Sequence, residues 1–253
     1  MRTILITGGA SGMGLAVARR FHAGGDRLVL ADRDAQRLAA AVAEFGDGGT
    51  VLGTETDVAS PDACAALVER AVSHYGGLDV VVNCAGIWLE GPAEDVTEAD
   101  FDRTLAVNLK GTFFVCRHAI PHLVHSSGCI VNIASDAGLV GNAGASVYAA
   151  SKGGVVLLSR SLAVELAPRG VRVNAVCPCD VATPMIDYQA ATYGDGDPEA
   201  YKARLLARYP QKPRARFATA DEVAELVHYL ASKAAAPITG AALPIDFGLT
   251  AGY

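Results

Sequence analysis

Seven short runs of mostly consecutive apolar residues recur along this chain, at 3–7, 27–31, 50–55, 80–83, 129–134, 171–176 and 242–245. A strand with one face in water alternates apolar and polar side chains. A strand covered on both faces does not, and these runs do not. Between them lie Ala-rich stretches with helical spacing, clearest at 13–23, 61–74 and 151–166, with Pro61 suited to a first helical turn. Strand–helix alternation of this kind predicts an α/β fold, a doubly wound parallel sheet with right-handed crossovers. Apolar residues make up 51% of the chain and charged ones 19%, enough to fill one large core. No linker or repeat interrupts the pattern, so residues 1–253 read as a single domain. The longest interruption, 184–217, holds Tyr188, Tyr193, Tyr201, Tyr209 and the break Gly194-Asp195-Gly196-Asp197-Pro198. It reads as a long loop, a lid over the substrate.

Several function classes fall away on charge and hydropathy. Lys plus Arg number 21 against 27 for Asp plus Glu, a net charge of -6, which argues against nucleic acid as a partner. No apolar run reaches membrane-spanning length, so no membrane partner is expected. The chain enters its first strand at Thr3, leaving no room for a signal peptide, and a cytoplasmic location is expected. Cys64, Cys84, Cys116, Cys129, Cys177 and Cys179 sit mostly in apolar runs and read as reduced thiols. Cys177-Pro178-Cys179 is too closely spaced for a zinc site, and no metal is expected.

The first strand runs into Thr7-Gly8-Gly9-Ala10-Ser11-Gly12-Met13-Gly14, which opens a helix. Gly8, Gly12 and Gly14 permit a tight turn and close backbone approach to a pyrophosphate. The helix N-terminus adds free N–H groups and a partial positive charge, with Ser11 and Met13 in the same turn. The turn predicts a dinucleotide site of Rossmann type. Asp32 ends the second strand, where a carboxylate bonds ribose hydroxyls and repels a 2′-phosphate, favouring NAD over NADP. Arg33 follows, and a basic residue there can accept that phosphate.

Tyr148-Ala149-Ala150-Ser151-Lys152 opens the long helical pattern, so Lys152 lies one turn from Tyr148 on one face. A neighbouring cation lowers a phenol's pKa and makes it usable as a general acid/base. Ser135 ends the run 129–134, at the carboxyl end of a predicted strand, where such sheets bind ligands.

With these motifs in this order, the chain resembles the short-chain dehydrogenase/reductase family over nearly its whole length. Gly8, Gly12 and Gly14 match its glycine motif, and Asp57-Val58 its adenine-contacting pair. Asn83-Cys84-Ala85-Gly86 is similar to the family's Asn-Asn-Ala-Gly. Asn108, Ser135, Tyr148 and Lys152 match its catalytic residues, and Pro178 and Thr183 the segment that closes over nicotinamide. The resemblance implies that Tyr148 exchanges the proton on the substrate oxygen and Ser135 stabilises that oxygen. Lys152 binds the nicotinamide ribose and tunes Tyr148, and Asn108 holds a water linking Lys152 to solvent. It implies hydride transfer between NAD(H) and a small-molecule secondary alcohol or ketone, and a homotetramer. Ala149, Gly153, Gly154 and Val156 suit close helix packing, within the chain or between subunits.

The chain departs from the family in having Cys84 for Asn, Cys179 for Gly after Pro178, and Ala215-Arg216-Phe217 for Gly-Arg-Phe. Asp246-Phe247-Gly248 replaces Asp-Gly-Gly. Cys179 reads either as a tolerated variant or as a side chain that narrows the pocket or exposes a thiol. Asp136 and Asp180 read as solvated loop acids or as a preference for hydroxylated substrates. Trp88 reads as pocket wall, as core or as an interface residue. Two other functions stay open: an NADP-dependent ketoreductase, such as a 3-oxoacyl thioester reductase, and a non-catalytic nucleotide sensor of the same fold.

Overall fold

The computed structural model describes residues 1–252. In chain order its strands are β1 (Thr3–Thr7), β2 (Arg27–Asp32), β3 (Val51–Glu55), β4 (Val80–Asn83), β5 (Cys129–Ile133), β6 (Arg172–Pro178), β7 (Val181–Ala182), β8 (Ala218–Thr219) and β9 (Ala242–Ile245). Its α-helices are α1 (Gly12–Ala23), α2 (Ala35–Ala43), α3 (Pro61–Tyr75), α4 (Glu98–Leu105), α5 (Thr112–Ser126), α6 (Ser146–Leu166), α7 (Pro184–Tyr193), α8 (Pro198–Ala207) and α9 (Ala220–Leu230). Seven strands form one sheet in the order β3-β2-β1-β4-β5-β6-β9, every pair parallel. Each apolar run of the sequence is one of these seven.

Successive side chains of a strand point to opposite faces. Ile4, Ile6, Leu28 and Leu30 therefore pack beneath α1 and α9, against Val17, Phe21, Val223 and Val227. Leu5, Val29, Val81 and Ile130 face the other way, against Leu67 of α3, Val115 and Leu123 of α5, and Leu162 of α6. Each such side chain contributes about 1.5–3 kcal/mol by leaving water, which is why the strands carry no polar face. The strand order reverses between β1 and β4, so the carboxyl ends part there and open a crevice.

Two sequence expectations need correction. Residues 184–217 are not a loop: they form α7, α8 and a short turn at Lys212–Arg214. Pro184 and Pro198 stand in the first turns, and the Asp197 carboxylate accepts from Ala200 N at 2.9 Å. The apolar residues here make no single stripe, so periodicity is silent while the capping signals are present. The excursion leaves from β7 and returns to β8, and these two pair in parallel, Val181 with Ala218 and Ala182 with Thr219. The second correction concerns α6. It starts at Ser146, ahead of the expected 151, so Tyr148 and Lys152 both lie inside it.

Phe247 takes φ 54°, in the left-handed region that a glycine occupies without strain. The ring is held by Arg216, whose guanidinium lies 4.7 Å from its centroid, and by Tyr209 at 6.3 Å.

Candidate active site

At one end of the crevice, backbone dominates. Gly8 has φ 63°, and a Cβ on Gly14 would stand 2.1 Å from the Gly8 carbonyl oxygen. Only glycine allows this approach, and it turns the start of α1 toward the crevice. Ser11 occupies the N-cap position, yet its side chain makes no capping bond. The leading N–H groups of α1 are thus left for an anion. Gly8, Ser11, Met13 and Gly14 line a cavity of about 210 Å³ together with Asp32, Asp57, Val58, Ala85 and Gly86. Arg33, Arg37 and Thr56 also line it. Asp32 is fixed by two backbone N–H groups, from Ala10 at 3.2 Å and Asp34 at 3.1 Å. Gly12 faces Thr183 instead, 3.4 Å from the position of a Cβ, and so joins this end to the next.

Asn83 does not reach the cavity. It is buried, and its Nδ2 donates to Asn132 Oδ1 at 2.8 Å, tying β4 to β5. Its side chain braces the sheet under the cofactor end rather than lining it.

The other end is a cavity of about 60 Å³ lined by Ser135, Tyr148, Pro178 and Thr183. Met13 lines both cavities and marks where they adjoin. Ser135 Oγ donates to Asp136 Oδ1 at 2.8 Å and accepts from Ala137 N at 3.1 Å. Trp88 is pocket wall: its ring lies 4.4 Å from that of Tyr148, centroid to centroid. Behind Tyr148, Lys152 is buried and its Nζ donates to Ile133 O at 2.8 Å. Asn108 lies in a π-helical segment, Ala106–Gly111, between α4 and α5. It is fully buried, accepts from Ile87 N at 2.8 Å, and donates to Ile87 O and Ser151 Oγ at 3.0 Å each. A Cβ on Gly86 would sit 3.4 Å from both Asn108 Oδ1 and Lys152 Nζ. The absent side chain is what lets these two groups approach the crevice.

Titration follows burial, against the sequence expectation. Burial pushes the Tyr148 phenol well above its ordinary range, and Asp136 and Asp180 push it further; the Ser135 hydroxyl pulls it down by less. Burial also lowers Lys152, to about 8. The Lys152 ammonium stands 5.8 Å from the centroid of the Tyr148 ring. Burial sets the direction in the cofactor-free protein, so one helical turn of separation alone does not deliver the expected fall. Cys179 is buried with its thiol pushed up to about 11 by burial, so it exposes no reactive group. It narrows the cavity wall as an apolar neighbour.

Sequence reasoning did not name Glu90 or Gln189 here, and it named Tyr201 and Tyr209 without their partners. Glu90 Oε2 accepts from Trp88 Nε1 at 2.9 Å and from Tyr201 OH at 2.6 Å, tying α8 to the wall beside Tyr148. Gln189 of α7 lines the cavity and accepts from the same Tyr201 at 3.4 Å. Tyr209 OH donates to Asp180 Oδ2 at 2.9 Å. Four tyrosines in one stretch were the available signal, but their partners are distant in sequence. The loop-acid reading of Asp136 and Asp180 is also overturned, because Asp136 is only 9% exposed and both line the cavity.

The cradle fits a dinucleotide on this structure's own terms. Gly14 has room for backbone alone, α1 offers uncapped N–H groups, and a fixed carboxylate stands at the far end of the larger cavity. Residues 8–250 match a family profile described as enoyl-(acyl carrier protein) reductase. The 2-(R)-hydroxypropyl-CoM dehydrogenase of Xanthobacter autotrophicus is 39% identical over 99% of both chains. A 3-ketoacyl-(acyl-carrier-protein) reductase from Brucella melitensis, solved with NADH, superposes with TM-score 0.87 at 31% identity over 98% of both chains. An actinorhodin polyketide ketoreductase, solved with NADPH, gives 0.92 at 36% identity over 98% of this chain and 97% of the other. With the glycine cradle, the paired serine and tyrosine and these relatives together, the chain belongs to the short-chain dehydrogenase/reductase family, oxidoreductases that act on CH–OH groups with a nicotinamide cofactor.

Proposed function

We propose that this chain transfers hydride between NAD(H) and a small secondary alcohol or ketone, with Tyr148 as the acid/base. The observation that carries this reading is that Ser135 and Tyr148 face one small cavity which adjoins the glycine cradle at Met13. The Gly8–Gly14 turn and Asp32 would hold NAD, which when bound would supply the hydride acceptor or donor for the carbinol carbon. Tyr148 takes the hydroxyl proton in oxidation and returns it in reduction. Ser135 donates to the substrate oxygen where charge develops. Its proton is held by Asp136 in this structure and turns to the substrate oxygen instead. Lys152 and Asn108 supply the polar floor behind Tyr148, where the ribose and a proton-carrying water are held. A sensor has no use for that relay, so the non-catalytic alternative is set aside.

Asp32 supports NAD over NADP. Its carboxylate is fixed at the end of β2, where a 2′-phosphate would meet it. Arg37 lines the same cavity but is paired with Asp34 at 3.2 Å. With both cofactors assayed on one alcohol panel, the wild type should show the higher kcat/KM with NAD, and Asp32→Ser should move the ratio toward NADP by about tenfold or more, the scale of one charged contact. A wild type that prefers NADP rejects this choice and restores the NADP-dependent ketoreductase.

The helices α7 and α8 serve as the lid, rooted on the β7–β8 pair. A homotetramer is supported by Phe113, Leu157 and Val164, large apolar side chains left exposed on α5 and α6. Light scattering that returns a monomer at micromolar concentration rejects it. The unpaired state of all six cysteines suits the cytoplasm.

A further inference from the structure

We infer that Asp136 and Asp180 select the substrate: this cavity takes a small neutral diol or hydroxyketone, with a hydroxyl beside the reacting carbinol, and turns away carboxylates. The inference rests on the assignment of Ser135 and Tyr148 as the reacting pair. Both aspartates line the cavity those residues face. Each has one oxygen committed to the protein. Asp136 Oδ1 accepts from Ser135 Oγ and from Ala137 N, both at 2.8 Å. Asp180 Oδ2 accepts from Tyr209 OH at 2.9 Å. Among the described residues nothing donates to Asp136 Oδ2 or Asp180 Oδ1, although Asp136 is 91% buried, the complement of its 9% exposure.

Two acceptor oxygens are therefore left for whatever fills the space. An ionised carboxylate only accepts, so it pairs with O–H and not with C=O or another carboxylate. No Lys, Arg or His is among the residues that line this cavity. The buried Lys152 is occupied with the Ile133 carbonyl, and Arg208, whose charge reaches both aspartates, is exposed. An anionic group would enter a low-dielectric space already holding two carboxyls, with no basic side chain lining it. Burial raises both carboxyls above the usual carboxylate range, and the Asp136 charge raises Asp180 further. A third would meet the same repulsion. The cavity volume of about 60 Å³ favours a short substrate.

Three probes share one reacting CH₃–CHOH unit and differ only beside it: 2-butanol, 2,3-butanediol and 3-hydroxybutyrate. Oxidation of each with NAD should give the diol a kcat/KM about 10- to 100-fold above 2-butanol, the scale of a hydrogen bond to a charged group, and should place 3-hydroxybutyrate last. Asp180→Asn keeps the shape and removes the charge. It should cut the diol-to-butanol ratio and raise the hydroxybutyrate-to-butanol ratio, each about tenfold. Should Asp180→Asn fail to fold for want of its Tyr209 bond, the wild-type ranking decides alone. A wild type that oxidises 3-hydroxybutyrate as well as the diol, or the diol no better than 2-butanol, overturns the inference. Tyr148→Phe separates the two levels. If it is inactive on all three probes while the wild-type ranking is wrong, only the selection by aspartates fails. If it oxidises all three normally, the active-site assignment fails beneath it.

Discussion

At the cofactor end of the crevice, the turn from Gly8 to Gly14 lays backbone along the start of α1, and residues after β2, β3 and β4 complete the wall. At the substrate end, side chains arrive singly from the start of α1, the segment after β4, the end of β5, α6, the end of β6 and α7, from residue 13 to residue 189. The first cavity is about 210 Å³ and the second about 60 Å³. A backbone cradle can be specified locally because glycine changes what the chain itself is able to do. A side-chain cavity cannot, because each wall is placed by packing elsewhere. The comparison predicts that the two ends fail separately.

The hardest test is Tyr148→Phe. It should lower turnover by about 10²–10⁴-fold, the range of general acid–base catalysis, with the cofactor dissociation constant nearly unchanged. An equal loss of cofactor affinity would break the separation of the two ends. The same variant settles the titration. In the cofactor-free protein, the ultraviolet difference between wild type and Tyr148→Phe should show Tyr148 ionising above the ordinary tyrosine pKa of roughly 10, because burial disfavours the phenolate. The phenol form needed for ketone reduction then persists through neutral pH, while alcohol oxidation gains as pH rises. Ionisation below the ordinary value would mean that Lys152 outweighs burial.

Ser135→Ala should follow, costing about 3 kcal/mol of barrier, the scale of one oxyanion donor. It should appear in kcat and leave cofactor binding alone. Gly14→Ala sharpens the comparison from the other side. Its Cβ meets the Gly8 carbonyl at 2.1 Å, so the cradle must shift. Overpacking of this kind costs about 1–3 kcal/mol, and the loss should show as weaker cofactor binding by calorimetry. If kcat at saturating cofactor falls just as far, the ends are coupled. The smallest effect is expected from Glu90→Gln, which weakens the charged acceptor shared by Trp88 and Tyr201. A few-fold rise in substrate KM is expected, from about 1 kcal/mol of hydrogen-bond energy. Unchanged KM would show that α8 is held by packing and not by this link.

The sheet and the cofactor end were legible in the sequence because their determinants are local. A doubly covered strand has to be apolar at consecutive positions, and the sharp turn into α1 has to be glycine at Gly8 and Gly14. Asp32 was readable for the same reason, since the end of β2 is fixed by the run that precedes it. The identities of Asn108, Ser135, Tyr148 and Lys152 were readable as a pattern, but not their electrostatics. The helical spacing of Tyr148 and Lys152 suggested a lowered phenol pKa, whereas in the cofactor-free protein Lys152 turns toward Ile133 and burial of the ring raises it. The helices of 184–217, the brace made by Asn83, the Glu90–Tyr201 link and the inward setting of Asp136 and Asp180 were decided by the tertiary structure alone. Each depends on partners far away in sequence, and burial, which sets the energy of every polar group named here, belongs to the packed molecule and not to any segment of the chain.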